Sequence, residues 1–272
     1  AFKKIVIIQI ISNVLIFCFT IFLIVYHNIF GALLAIAFSE LIMLFVTYLF
    51  VRREVAFFTF NLKKVISGKY VNVVKKFALM GLLSGILVPL VSILIRNKII
   101  KTSGITEAGV WDATIRISAY YMMFFSSGLT LYYLPKLASL KTDFEFKNEL
   151  ISYFKIFVPF FVLMMVIIYL FKSYIIQFIF TSEFQSVDSL LKWLLLGDFF
   201  KVLTLAFGYQ IVVKTMMKLY FFGEIFYNLL YYFLTLYLIK EFGVEGAMQA
   251  YFYTNVIHFI FILFMFRKLF FK

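Results

Sequence analysis

The sequence has little of what metal sites and disulfide frameworks are made from. Its single cysteine, Cys18, lies inside an apolar run and has no partner, so neither a disulfide framework nor a cysteine-based metal site can form. The two histidines, His27 and His258, are too few for a histidine-rich metal site. Acidic residues are half as numerous as basic ones, 13 against 26, which leaves a net charge of +13. Walker loops, GxSxG elbows and paired metal-ligand motifs are all missing, and the longest outer connection, about 96–112, is too short to house a catalytic domain. These absences point away from an enzyme and require no cofactor.

What the sequence has is apolar length. Of its 272 residues 64% are hydrophobic, the mean hydropathy is +1.02, and runs of about twenty apolar residues recur from end to end. That composition is the signature of an all-α polytopic membrane protein. A membrane β-barrel would show alternating ten-residue segments instead. About eight spans can be drawn, near 5–26, 30–50, 77–95, 113–134, 153–171, 189–213, 219–239 and 247–266. The positive charge might suggest nucleic acid, but the Lys and Arg sit in short loops between spans, so no nucleic-acid partner is expected. Sorting them onto alternate sides gives seventeen on one side and five on the other, which puts both ends of the chain in the cytoplasm.

The longest connection, 51–76, is basic and contains pieces such as VAFFTFNLKKVI. It reads as a cytoplasmic amphipathic helix on the anionic inner leaflet, with a solvated basic loop as the plainer alternative. Two spans precede it and six follow. A molecule of two equal six-span halves would then place the last two helices of an N-terminal lobe at 1–50, the linker at 51–76 and a complete C-terminal lobe at 77–272. The chain starts with Ala1, and its first apolar run of 22 residues is too long for a signal peptide and lacks a small-x-small cleavage site, so an N-terminal portion is expected to precede it. A short internal echo agrees with two halves: Gly31-Ala32-Leu33-Leu34-Ala35 opens the second span and Gly246-Ala247-Met248-Gln249-Ala250 the eighth. Gly-Ala openings also serve close helix packing in general.

The sixth span is the most telling. Asp198 and Lys201 lie near its middle, three residues apart and so on one helical face. Each costs about 2.5–3.5 kcal/mol at the membrane centre, against about 0.3–0.6 kcal/mol gained per Leu, Ile, Phe or Val. The span has fourteen of those apolar residues, so it inserts near break-even. Charges kept at that cost face a water-filled cavity or a partner, or neutralise each other as a structural pair.

Most spans also carry a polar stripe at helical spacing. The first has Gln9, Ser12, Asn13 and Thr20, the second Ser39, Glu40 and Thr47, and the fourth Arg116, Tyr120, Ser127 and Thr130. The sixth has Asp198, Lys201, Thr204 and Gly208, the seventh Glu224, Asn228, Tyr231 and Thr235, and the eighth Tyr251, Thr254, Asn255 and His258. Turned to a common centre, such faces make a hydrated cavity; turned on each other, they make interhelical hydrogen bonds. Arg116 and Lys201 are the candidates for an anionic group such as phosphate, although Asp112, one turn earlier, also offers Arg116 a structural pair. Glu40, Asp198 and Glu224 are candidates for binding a proton or Na⁺ and coupling it to transport. His258 reads as a packing residue.

Three short stretches then carry a resemblance. They are Leu131-Tyr132-Tyr133-Leu134-Pro135-Lys136-Leu137 in the fourth span, Leu196-Gly197-Asp198 in the sixth and Phe242-Gly243-Val244-Glu245-Gly246-Ala247 before the eighth. With these the chain, from about residue 96 to its end, resembles the O-antigen flippases of Wzx type in the multidrug/oligosaccharidyl-lipid/polysaccharide exporter superfamily. The resemblance implies a twelve-helix, two-lobe exporter in the bacterial cytoplasmic (inner) membrane. Its cargo would be an undecaprenyl-diphosphate-linked oligosaccharide, moved from the inner to the outer leaflet by alternating access, beside membrane lipids and polysaccharide polymerase machinery. It further implies Lys201 and Arg116 as contacts for the diphosphate or the sugar, and Tyr120, Asn228 and Tyr231 as glycan contacts. A cation-coupled drug or small-molecule antiporter of the same superfamily is the alternative, favoured if acidic residues dominate the cavity.

Overall fold

A computed structural model describes residues 2–52, 71–181 and 184–270. The chain divides into two units, Ala1–Gly68 and Lys69–Lys272. Among the described residues the regular structure is helical throughout, and four helices are long and apolar enough to cross a membrane by length and composition. The protein is an all-α polytopic membrane protein.

In the first unit, helix α1 (Phe2–Val51) has 50 residues. A straight helix of that length would run about 75 Å, more than twice the ~30 Å hydrocarbon core. It does not run straight. Asn28 takes φ 49° and ψ −131°, a positive φ that Asn tolerates better than most residues. Three residues later, a Cβ on Gly31 would fall 1.9 Å from the carbonyl oxygen of Leu23. Residues eight apart are separated by about 12 Å along a straight helix, so the two arms fold back on each other at this corner. The arms correspond to the first two spans expected from the sequence.

The second unit holds α2 (Val71–Ser103), α3 (Ile105–Ser139), α4 (Asp143–Leu170), α5 (Lys172–Ile179), α6 (Val187–Val213), α7 (Met217–Met265) and α8 (Arg267–Phe270). Most of the amphipathic connection expected over 51–76 lies outside the described residues; residues 71–76 form the first turns of α2. Helix α7 has 49 residues and repeats the corner of α1. Gly243 takes φ 56° and ψ −138°, and a Cβ on Gly246 would fall 2.3 Å from the carbonyl oxygen of Leu238, again eight residues back.

Helix α6 is the centre of this unit. It packs against α3, α4 and α7, and Leu190, Leu191, Leu194, Val202, Ala206 and Phe207 are all sealed from the surface. Helix α4 starts at a capping box in which Thr142 and Glu145 exchange bonds with each other's backbone N–H. The outward face of its second half is apolar, with Phe160, Leu163, Val166, Ile167 and Leu170 exposed, as a lipid-facing helix requires. A helix enclosed on several sides, as α6 is, can carry charge at membrane depth; one that faces lipid cannot.

Candidate functional site

The three residues Leu196-Gly197-Asp198 build the site. A Cβ on Gly197 would stand 2.6 Å from the Tyr251 ring, so the glycine lets that ring lie directly on the α6 backbone. The ring's position brings the Tyr251 hydroxyl to Asp198, where it donates to Oδ1 at 2.6 Å. From α3, the Ser118 hydroxyl donates to Oδ2 at 2.6 Å and the Tyr121 hydroxyl donates to the same oxygen. Asp198 is wholly buried, and its carboxylate ties α3, α6 and the second arm of α7 together. Three hydroxyl donors are the kind of environment that lets a carboxylate sit in a low-dielectric interior.

Lys201 lies one turn further along α6. Among the described residues it makes no ion pair with Asp198. Instead its ammonium donates to the Tyr251 hydroxyl at 3.4 Å and lies 5.9 Å from the centre of that ring. The two charges are therefore linked through one tyrosine oxygen rather than in direct contact.

Beyond Lys201 opens a cavity of about 420 Å³, walled by α2, α3, α6 and both arms of α7. Lys201, Glu224, Asn228 and Tyr231 all line it. So do Trp111, Tyr227, Tyr251 and His258, which make much of the wall aromatic. On α2, Ser84 shares a hydrogen bond with the Tyr220 hydroxyl at 2.5 Å. The Asn228 amide donates to the Glu224 carbonyl at 2.9 Å, and the Asn255 amide to the Tyr251 carbonyl at 2.8 Å. His258 packs edge-on against Tyr227, with ring centres 5.1 Å apart. The volume and the mixture of rings with a few polar groups are those of a small-molecule pocket, typically about 300–1,000 Å³.

Three of the six polar stripes, those of the sixth, seventh and eighth spans, thus face a common interior. The stripe on α3 does not. Arg116 and Tyr120 are exposed, Tyr120 by 60%, and neither belongs to the cavity wall. The expected pairing of Arg116 with Asp112 is also replaced: Asp112 bonds Arg96 of α2 at 2.8 Å, because the close α2–α3 turn brings that guanidinium nearer. Glu40 is an exposed residue of α1, in the other unit. Sequence reasoning missed Trp111, Ser118 and Tyr121 altogether. The available signal was Gly197, a residue without a side chain next to a charge, which marks a close approach by a partner ring.

Comparison with known proteins adds a direction. Lipid III flippases of Escherichia coli (strain K12) and of Shigella flexneri are each 27% identical to this chain over 184 residues. The chain is similar to lipid III flippases. The matched stretch covers 68% of this chain but only 44% of either relative, so the chain spans less than half the length of the flippases it matches. Flippases are membrane transporters, not enzymes. No family model matches the chain, and no solved structure does.

Proposed function

We propose that this chain belongs to a flippase of the oligosaccharidyl-lipid exporter kind in the bacterial cytoplasmic membrane, and that the protein carries a lipid-linked glycan from one leaflet to the other. The observation that carries the reading is the 184-residue similarity to lipid III flippases. The cavity supports it, because rings, amides and one ammonium on a single wall are the groups that hold a glycan. The finer reading is an undecaprenyl-diphosphate-linked O-antigen or similar repeat unit. In it, Lys201, Asn228 and Tyr231 contact the head group in the cavity, Arg116 and Tyr120 contact it from the exposed face of α3, and the prenyl chain stays in lipid. Lobe motion of the alternating-access kind then exposes the load to each side in turn. Asp198, Glu224 and Glu40 are the acids on which a driving H⁺ or Na⁺ would bind. Both ends of the chain are cytoplasmic in this reading.

One observation favours the antiporter alternative: Glu224 shares the cavity wall with Lys201, the one cation on it among the described residues, and Asp198 lies just behind it. One experiment separates the two. Deleting the full-length gene in its host and analysing lipid extracts by mass spectrometry is expected to reveal an accumulated prenyl-diphosphate oligosaccharide. Wild type should clear it and Lys201→Ala should not, and the mass reports the sugars. Normal lipids together with a normal surface glycan would overturn the flippase reading and favour the antiporter.

A further inference from the structure

Two donors on the cavity wall have no acceptor in the protein. Trp111, 2% exposed, and Tyr231, 8% exposed, are neighbours on α3 and the first arm of α7. Neither the indole N–H nor the Tyr231 hydroxyl makes a hydrogen bond of ordinary geometry. An indole N–H can only donate, and native proteins rarely leave a buried donor unmatched. The rings around them continue the wall. Tyr231 meets Tyr251 edge-on at 5.8 Å and lies 6.4 Å from Tyr227.

We propose that Trp111 and Tyr231 form a subsite for one uncharged sugar ring, held by two of its oxygens against an aromatic face. The subsite rests on the flippase reading, since it assigns part of the glycan to this cavity. Its chemistry decides between the two halves of such a cargo. A diphosphate calls for cationic donors, and the one cation here, Lys201, already shares the Tyr251 hydroxyl with the buried Asp198. Glu224 on the same wall repels a multiply charged anion. Neutral N–H and O–H donors beside stacked rings suit a neutral acceptor instead: a hydroxyl, ring oxygen or acetamido carbonyl, with the C–H face of the sugar on the indole.

The test uses tryptophan emission of the purified full-length protein, titrated with glucose, galactose, rhamnose, N-acetylglucosamine, glucuronate and inorganic diphosphate. At least one neutral sugar should give a saturable change that survives Trp193→Phe and disappears in Trp111→Phe. Tyr231→Phe, which deletes only the hydroxyl, should weaken that sugar about tenfold, the size of one lost neutral hydrogen bond. Silence toward every neutral sugar, a response to diphosphate alone, or a response that persists in Trp111→Phe would each overturn the subsite. The gene-deletion assay reports separately: accumulated lipid-linked glycan with a silent titration keeps the flippase and removes the subsite, while a sugar response without accumulation does the reverse.

Discussion

On α6, Asp198, Lys201, Thr204 and Gly208 point into the helical unit; on α3, Arg116, Tyr120, Ser127 and Thr130 lie on the exposed or half-buried side. On the inward stripe Asp198 is satisfied by other helices, accepting from Ser118, Tyr121 and Tyr251, while Thr204 bonds the Phe200 carbonyl of its own helix at 2.9 Å. The outward hydroxyls are held chiefly by their own helix, with Thr130 also meeting the Tyr209 hydroxyl of α6 at 3.3 Å. Ser127 bonds the Met123 carbonyl at 2.7 Å and Thr130 the Ser126 carbonyl at 2.8 Å, both one turn back on their own helix. Hydroxyls bonded in that way need no partner, so a stripe built from them says little about what it faces. A carboxylate cannot do this, because it has no proton to give its own carbonyls. Acids are therefore the better guides to the interior of this unit, and α3 shows the cost of following hydroxyls: its inward face, with Thr114, Ser118 and Tyr121, is the one that reaches the site.

The largest expected effect tests the inward side. Asp198→Ala leaves the Ser118, Tyr121 and Tyr251 hydroxyls without their acceptor and removes the charge that Lys201 meets through Tyr251. Breaking a buried charge network from one side costs about 3–5 kcal/mol, so thermal melting of the full-length protein in detergent should show a large loss. A melt close to wild type would mean that the carboxylate is not what ties α3, α6 and α7 together.

A smaller change probes how the network is positioned. Gly197→Ala places a methyl where the Tyr251 ring lies, and either the ring or the α6–α7 spacing must give. Overpacking of this kind costs about 1–3 kcal/mol. Because the closest approach is to that ring, with the Phe252 Cα next at 3.3 Å, Tyr251→Leu in the same chain should make the two changes clearly non-additive. Strict additivity in the melts would show that Gly197 does not serve that ring.

Much of the fold was legible because bilayer thickness leaves few choices. Apolar runs of span length became helices, and the gaps drawn at 27–29 and 240–246 became the corners at Asn28 and Gly243. The echo of Gly31-Ala32 and Gly246-Ala247 turned out to be physical, since both glycines admit a carbonyl from eight residues back. What the sequence shows there is only the missing side chain; the fold-back itself depends on Asn28 and Gly243 taking nearly the same positive φ. The site was less legible. Lys201, Glu224, Asn228 and Tyr231 share a wall because three polar stripes converge, and helical periodicity can reveal each stripe. Periodicity does not say which neighbour a face meets, so Arg116 and Tyr120 were grouped with residues they do not join. Trp111 carried no signal, being one aromatic residue in a chain that is 22% aromatic.

Arg116→Ala is the smallest expected effect on stability, and it sharpens the contrast between the two faces. The side chain is exposed, and Asp112 is held by Arg96 instead, so the melt should stay within about 0.5 kcal/mol of wild type, as for most surface substitutions. Transport is a separate readout of the same variant. If the exposed face of α3 meets the glycan, Arg116→Ala should fail to clear accumulated lipid-linked oligosaccharide although its stability is intact. If it clears the lipid as wild type does, the α3 stripe has no part in substrate handling, and the substrate contacts of this unit reduce to the cavity wall around Lys201. A destabilised Arg116→Ala would contradict the contrast itself, because it would mean that the outward stripe is as deeply engaged in the fold as the inward one.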